Sequence, residues 1–124
     1  MSKLQNLNVL IVEDEPTSYT LLVEELGDCC KEIHRAVDGI EAIEIARKNS
    51  DLDLILMDIK LPLMNGLDAT KAIRAFNQKV VIIAETAYAF PEDKALALAA
   101  GCNDYISKPI LKDQLFRLIE KHLL

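Results

Sequence analysis

The stretch Leu54-Ile-Leu-Met-Asp58 sets four consecutive apolar residues in front of a carboxylate. Two further runs, Asn8-Val-Leu-Ile-Val12 and Val80-Val-Ile-Ile-Ala84, have the same continuous apolar character. Runs that lack a polar and apolar alternation indicate strands covered on both faces, as in a parallel sheet between helices. The more polar runs at residues 32–36 and 105–107 are predicted as edge strands.

Stretches with helical periodicity separate these five runs. The first is predicted at residues 16–26, because Pro16 suits a first helical turn and Gly27 suits a helix end. Further helices are predicted at residues 40–49 behind an Asp38 cap, 68–76, 92–100 and 111–122. Parallel neighbours need helix-length, right-handed crossovers, so the pattern predicts a doubly wound α/β fold of five strand-helix units, (βα)5.

Length and charge narrow the class of protein. The 124 residues are expected to form one domain, 1–124, with no effector domain in this chain. A hydrophobic fraction of 51% excludes a disordered chain, and the net charge of −6 argues against direct binding to nucleic acid or a membrane surface. The sequence has no apolar run of transmembrane length and no signal peptide, which predicts a cytoplasmic protein.

Cysteine and histidine offer little chemistry. Cys29, Cys30 and Cys102 have neither disulfide-framework nor zinc-site spacing, so they are predicted to be reduced. A redox pair of Cys29 and Cys30 is the less favoured alternative. His34 and His122 are predicted to be structural or solvated.

Charged and hydroxyl side chains follow four of the five predicted strands. Glu13 and Asp14 follow the first strand, Asp58 ends the third, Thr86 lies near the end of the fourth and Lys108 follows the fifth. Because parallel strands bring their carboxyl ends to one edge, where open α/β sheets bind ligands, these side chains are expected to share one crevice. Each has an ordinary alternative role, such as a helix-capping acidic turn for residues 13–15.

An all-oxygen carboxylate cluster favours a hard divalent cation, Mg²⁺ or Mn²⁺, over zinc. A cation, a lysine and a hydroxyl around a free carboxylate are the parts that in-line phosphoryl transfer requires. We therefore predict Asp58 as the nucleophile and Glu13 and Asp14 as metal ligands. Lys108 is predicted to pair with Asp58 or with phosphoryl oxygens, and Thr86 to contact the phosphoryl group.

Four motifs in order make the chain resemble the receiver domain of two-component response regulators, which are CheY-like. They are Val9-Leu-Ile-Val-Glu-Asp-Glu-Pro16, Met57-Asp-Ile-Lys-Leu-Pro-Leu-Met-Asn-Gly66, Ile83-Ala-Glu-Thr-Ala87 and Gly101-Cys-Asn-Asp-Tyr-Ile-Ser-Lys-Pro109. The resemblance implies a flavodoxin-like strand order, 2-1-3-4-5. It also implies phosphorylation of Asp58 and a Mg²⁺ site made by Glu13, Asp14, Asp58 and the main-chain carbonyl of Lys60. The remaining implications are a Thr86 and Tyr105 switch pair and a cis bond before Pro109.

The same resemblance implies a signalling switch that catalyses only its own phosphorylation and dephosphorylation, and not a metabolic enzyme. The phosphoryl donor would be a phosphohistidine on a sensor histidine kinase or a histidine phosphotransfer protein. The response would appear at the surface built from helix 4, strand 5 and helix 5, for an unknown downstream protein or for a phosphorylation-dependent homodimer.

Two rival functions remain open. One is a pseudo-receiver, a constitutive binding module whose site is idle. The other is a Mg²⁺-dependent aspartyl-phosphate phosphatase, which would need a second acid two residues after Asp58, where Lys60 stands. Glu85 departs from the family pattern, because an apolar or small residue usually precedes the switch threonine. We expect its carboxylate either to disturb the loop or to face solvent.

Overall fold

Eleven short segments of regular structure alternate along the chain in the computed structural model, which describes residues 5–87 and 90–124. The strands are β1 (Leu7–Val12), β2 (Cys30–Ala36), β3 (Leu54–Asp58), β4 (Val81–Thr86) and β5 (Asp104–Ser107). The helices are α1 (Pro16–Leu26), α2 (Gly39–Lys48), α3 (Gly66–Arg74), α4 (Pro91–Ala100) and α5 (Lys112–Leu123), with a 3₁₀ turn at Gly27–Cys29.

All five strands form one parallel sheet in the order β2-β1-β3-β4-β5, which confirms the predicted fold and strand order. The order reverses between β1 and β3, so the crevice expected for ligands lies at the carboxyl ends of these two strands. The register pairs Val12 with Met57 and Asp58 with Glu85. The ends of β1, β3 and β4 are therefore level with one another.

The two faces of the sheet carry different helices. Leu22 and Leu26 of α1 and Leu115 and Ile119 of α5 pack on one face, which we call the α1/α5 face. Small residues of α2, α3 and α4 pack on the opposite face. Side chains alternate between these faces along each strand, so the parity of a residue number within its strand decides which helices it meets.

β4 extends beyond its apolar run at the carboxyl end. It continues past Ala84 through Glu85 to Thr86, whereas β3 ends at Asp58, as predicted. The extension of β4 is held by pairing on both sides, with Asp58 on β3 and with Ile106 and Ser107 on β5. A polar residue at a strand end breaks the apolar run in the sequence but keeps its backbone hydrogen bonds.

Local capping sets the helix starts. The Asp38 side chain accepts a hydrogen bond from the amide of Glu41 at 2.8 Å, as the capping spacing predicts. The start of α3 was predicted two residues late, because Asn65 and not a later residue caps it through the amide of Asp68 at 2.9 Å. Among residues 5–87 and 90–124, no helix combines the length and the hydropathy that a membrane span requires.

Candidate active site at the carboxyl edge of the sheet

Four adjacent strands each present one ionisable side chain to the α1/α5 face at their carboxyl ends. Each of the three acids stands two positions after an apolar residue that packs on the α1/α5 face, and side chains two positions apart in a strand share a face. The pairs are Ile11 and Glu13, Leu56 and Asp58, and Ile83 and Glu85. Lys108 stands two positions after Ile106, which packs on the same face. The order across the sheet is therefore Glu13, Asp58, Glu85 and Lys108, and we call this set the charged row.

The Lys108 ammonium closes the row by reaching back across β4. Its Nζ donates to Oε1 of Glu13 at 2.9 Å and to Oδ2 of Asp58 at 3.0 Å. Burial lowers the pKa of Lys108, but the two hydrogen bonds and the carboxylate charges outweigh burial and raise this pKa overall. The ammonium therefore stays charged and offsets the repulsion between two buried carboxylates.

The remaining oxygens of these carboxylates also have partners. Oδ1 of Asp58 accepts from the amide of Lys60 at 3.1 Å, and Oε2 of Glu13 accepts from the amide of Glu15 at 3.2 Å. Burial, with the charge of Asp58, raises the pKa of Glu13 despite the Lys108 hydrogen bond. Every oxygen of the pair is held, so both carboxylates have fixed orientations.

Glu13, Asp14 and Asp58 form a potential cation site. Each offers a carboxylate oxygen, and these oxygens lie within 4.8 Å of one another. Glu13 and Asp58 are buried whereas Asp14 is exposed, so the cluster opens to solvent on the Asp14 side. Three oxygen donors with room for water suit Mg²⁺, which retains part of its hydration shell in proteins. The carbonyl of Lys60 stays a predicted fourth ligand.

The acidic run at residues 13–15 divides between two roles. The carboxylate of Glu15 caps α1 by accepting from the amides of Thr17 at 3.0 Å and Ser18 at 2.7 Å. These amides lower the pKa of Glu15. Helix capping and site formation, which the sequence presents as alternatives, therefore both occur: the third acid caps the helix and the first two face the crevice.

Glu85 behaves unlike either expectation. It lies within β4, its exposed fraction is 0%, and neither carboxylate oxygen has a hydrogen-bond partner. The expectations of a disturbed loop or a solvent-facing carboxylate were therefore wrong, because pairing with β3 and β5 keeps this residue in the sheet. Burial, and then the charge of Glu13, raise the pKa of Glu85 well above the ordinary value.

The predicted switch residues lie on the face opposite the charged row. Thr86 is 8% exposed and ends β4, and Tyr105 is half-buried against the α2–α4 cluster. Ala84 pairs with Tyr105 and Thr86 with Ser107, so the two switch residues are diagonal neighbours on adjacent strands. The peptide bond between Lys108 and Pro109 is cis, as the resemblance implies.

Sequence reasoning missed two supports of the site. The guanidinium of Arg35, on β2, donates to the carbonyls of Glu13 and Asp14, each at 3.4 Å, and so holds the backbone that carries both acids. Gly66 lies so close to β3 that a Cβ atom there would be 2.2 Å from the Asp58 carbonyl oxygen. The glycine in the second motif was the available signal for this close approach.

The histidines lie outside the charged row. His34 Nε2 lies 3.3 Å from a carboxylate oxygen of Glu32 on the edge strand. His122 Nε2 lies 3.0 Å from Oδ2 of Asp104, which links α5 to the start of β5. Both positions agree with the predicted structural or solvated roles.

Comparisons with known proteins agree with this geometry. Residues 9–120 match the family model described as the response regulator receiver domain. A hybrid signal transduction histidine kinase G of Dictyostelium discoideum is 44% identical over 116 residues, covering 88% of this chain and 3% of that protein. This chain spans only a small part of the first curated relatives it matches, between 3% and 21% of their lengths.

Two solved structures are similar over most of their own chains. The receiver domain of Saccharomyces cerevisiae Ssk1, crystallised with the histidine phosphotransfer protein Ypd1, is 34% identical with a TM-score of 0.88, covering 98% of this chain and 91% of that one. The receiver domain of the Pseudomonas aeruginosa sensor histidine kinase PA1611, with a magnesium ion in its active-site cleft, is 36% identical with a TM-score of 0.82. That match covers 94% of this chain and 97% of the other. The chain therefore belongs to the receiver domain family of two-component response regulators.

Proposed function

We propose that this receiver domain is a Mg²⁺-dependent phosphoacceptor switch in which Asp58 takes a phosphoryl group from a phosphohistidine. The observation that carries the proposal is the placement of Asp58. Its carboxylate ends the central strand, accepts from Lys108 at 3.0 Å and shares the oxygen cluster with Glu13 and Asp14. Positioning and charge neutralisation are the main requirements for phosphoryl transfer.

Each residue has a defined part in this proposal. Glu13, Asp14 and Asp58 would hold Mg²⁺ together with the Lys60 carbonyl, and the cation would supply neutralisation of the charge on the transferred group. Lys108 holds Asp58 in a fixed orientation before transfer and would bind a phosphoryl oxygen afterwards. Thr86 would move toward the new phosphoryl group, which would let Tyr105 turn inward and change the surface of α4, β5 and α5.

The phosphoryl donor would dock beside the site. An apolar groove of about 390 Å³ runs from Glu13 and Lys108 along α1, with Leu21 and Ile110 in its walls. Leu21 is 46% exposed, although it lies next to a charged crevice. We propose that a phosphohistidine protein packs on this groove, and the similarity to the Ssk1 receiver, which was crystallised with a phosphotransfer protein, supports that class of partner.

Intact-mass measurement tests the acceptor. Wild-type protein incubated with Mg²⁺ and a small-molecule phosphodonor is expected to gain the mass of one phosphoryl group, and Asp58→Asn is expected to gain none. Asp68→Asn, which alters an exposed aspartate in the first turn of α3, provides the matched control and is expected to behave as wild type. A wild type that gains nothing from this donor or from a phosphohistidine protein would instead be a constitutive binding module.

A second variant separates docking from chemistry. Leu21→Glu is expected to abolish transfer from a phosphorylated phosphotransfer protein and to leave labelling by the small donor unchanged. Leu96→Glu, on α4 and 56% exposed, is the control for adding a carboxylate to an exposed leucine. Equal transfer to both variants would exclude the groove as the docking surface.

A further inference from the structure

The charged row contains one member that takes part in none of its hydrogen bonds. Glu85 pairs with Asp58 on one side and with Ile106 on the other, so it occupies the strand between the acceptor and the lysine. Lys108 directly follows Ser107, the last residue of β5, and its Nζ reaches Asp58 at the end of β3. The Lys108 side chain therefore crosses the end of β4 on the face to which Glu85 points.

Lys108 passes Glu85 but donates to the two carboxylates beyond it. An ammonium has three N–H donors, and Glu13 and Asp58 accept two of them. Both oxygens of Glu85 lack a partner, and the side chain is fully buried. A buried polar group without a partner in a native structure calls for a reason, because its desolvation is uncompensated.

The predicted cation site shares two of its three carboxylates with Lys108. Glu13 and Asp58 are two of the three residues of the oxygen cluster, and the same two carboxylates hold the ammonium. A divalent cation at this cluster repels the ammonium and competes for its acceptors. Lys108 then needs another acceptor on the α1/α5 face, within the reach of a side chain that already crosses β4.

We propose that Glu85 is the alternative hydrogen-bond acceptor for Lys108, which turns to it when a divalent cation occupies Glu13, Asp14 and Asp58. Glu85 is thus a positioning residue that acts through Lys108. The inference rests on the Mg²⁺ site of the proposed function. It requires only an acceptor oxygen at position 85, which a carboxylate, a carboxylic acid or an amide each provides.

Mg²⁺ affinity, measured by calorimetry on the intact chain, tests the proposal. Glu85→Leu removes the acceptor and is expected to raise the Kd for Mg²⁺ about tenfold, the size of one hydrogen bond of about 1.4 kcal/mol. Glu85→Gln keeps an acceptor of the same shape and is expected to stay within about twofold of wild type. Glu25→Gln is the control for removing a carboxylate whose charge acts on Glu85 but which is neither of the two carboxylates to which Lys108 donates.

The outcomes separate this inference from the proposed function. Wild-type affinity in Glu85→Leu would overturn the inference and leave the Mg²⁺ site intact, and so would an equal loss in Glu85→Leu and Glu85→Gln. A wild type that binds no Mg²⁺ would overturn both. A crystal structure with Mg²⁺ supplies the direct readout: Nζ of Lys108 is expected at about 3 Å from a Glu85 oxygen, and an unpartnered Glu85 there would contradict the proposal.

Discussion

Oδ2 of Asp58 lies 3.0 Å from the ammonium nitrogen of Lys108, although Asp58 ends β3, Lys108 follows β5, and β4 lies between these two strands. The same ammonium serves Glu13, which is 1% exposed. One lysine at the end of an edge strand thus compensates two buried carboxylates on the central strands.

Replacing Lys108 should therefore destabilise the fold. In the presence of a metal chelator, the Lys108→Met variant is expected to have a free energy of unfolding about 2 to 3 kcal/mol lower than that of wild type, because two buried carboxylates lose their counter-charge. Added Mg²⁺ should restore part of this loss, since a cation at the same two carboxylates replaces the missing positive charge. Urea denaturation with and without Mg²⁺ measures both effects, and Lys48→Met, at the end of α2, is the control. A loss of stability that added Mg²⁺ does not reduce would contradict the proposal that Lys108 and the cation share these carboxylates.

Replacing Glu85 should have the opposite effect on stability. Glu85→Leu is expected to add about 2 kcal/mol to the unfolding free energy at pH 7 without Mg²⁺, because it removes a buried unpartnered carboxyl from an apolar cluster. Since the same variant is expected to bind Mg²⁺ more weakly, stability and cation affinity should move in opposite directions. Loss of stability in Glu85→Leu would show that Glu85 has a stabilising partner.

The stability difference should also depend on pH. Burial raises the pKa of Glu85 in the folded protein well above the ordinary carboxyl value of 4.5. Below pH 4.5 both folded and unfolded forms are protonated and the group contributes nothing. As the pH rises above 4.5, the unfolded chain ionises first and is stabilised, so folding becomes weaker. The advantage of Glu85→Leu over wild type should thus grow between pH 4.5 and pH 7, and urea titrations at both values check the sign.

Gly66 should tolerate no side chain. Its Cβ position lies 2.2 Å from the main-chain oxygen of Asp58, so Gly66→Ala must displace either α3 or the acceptor strand. We expect a loss of about 3 kcal/mol and slower phosphorylation of Asp58. Gly27→Ala is the contrasting control: its φ of 59° is strained for alanine, but no atom outside its chain neighbours lies within 4 Å, so a loss of about 1 to 3 kcal/mol with normal phosphorylation is expected.

The switch pair predicts a spectroscopic effect. Phosphorylation should shift the ring resonances of Tyr105, and Thr86→Ala should abolish the shift while Asp58 still accepts the phosphoryl group. The reason is that Thr86 is the strand-end neighbour through which the proposed movement reaches Tyr105. Thr20→Ala, on the exposed side of α1, is the matched control. An unchanged Tyr105 shift in Thr86→Ala would exclude this route.

Most of the fold could be predicted because each buried strand is a continuous apolar run. The site residues could be predicted because parallel topology brings strand ends together, which is how Glu13, Asp58 and Lys108 meet despite their distance in sequence. These positions depend on where the strands end and on their parallel direction, and the apolar runs in the sequence indicate both.

The environment of Glu85 could not be predicted in the same way. A carboxylate after an apolar run has the pattern of a loop residue, and only pairing on both sides by β3 and β5 keeps it buried. The division of residues 13–15 follows instead from position in the sequence. Glu15 stands directly before Pro16, the first residue of α1, and therefore caps the helix, whereas Glu13 and Asp14 lie nearer the end of β1.

The thickness of the sheet separates the charged row from the predicted switch residue Tyr105. The charged row lies on the α1/α5 face, whereas Tyr105 packs on the other face. The proposed conformational change must therefore cross the sheet at the end of β4, where the neighbouring residues Glu85 and Thr86 point to opposite faces. One consequence concerns variation: substitutions on α1 for a new phosphodonor can leave the packing of Tyr105 on the opposite face unchanged, whereas α5, which packs beside α1 and belongs to the proposed response surface, links donor contact to response.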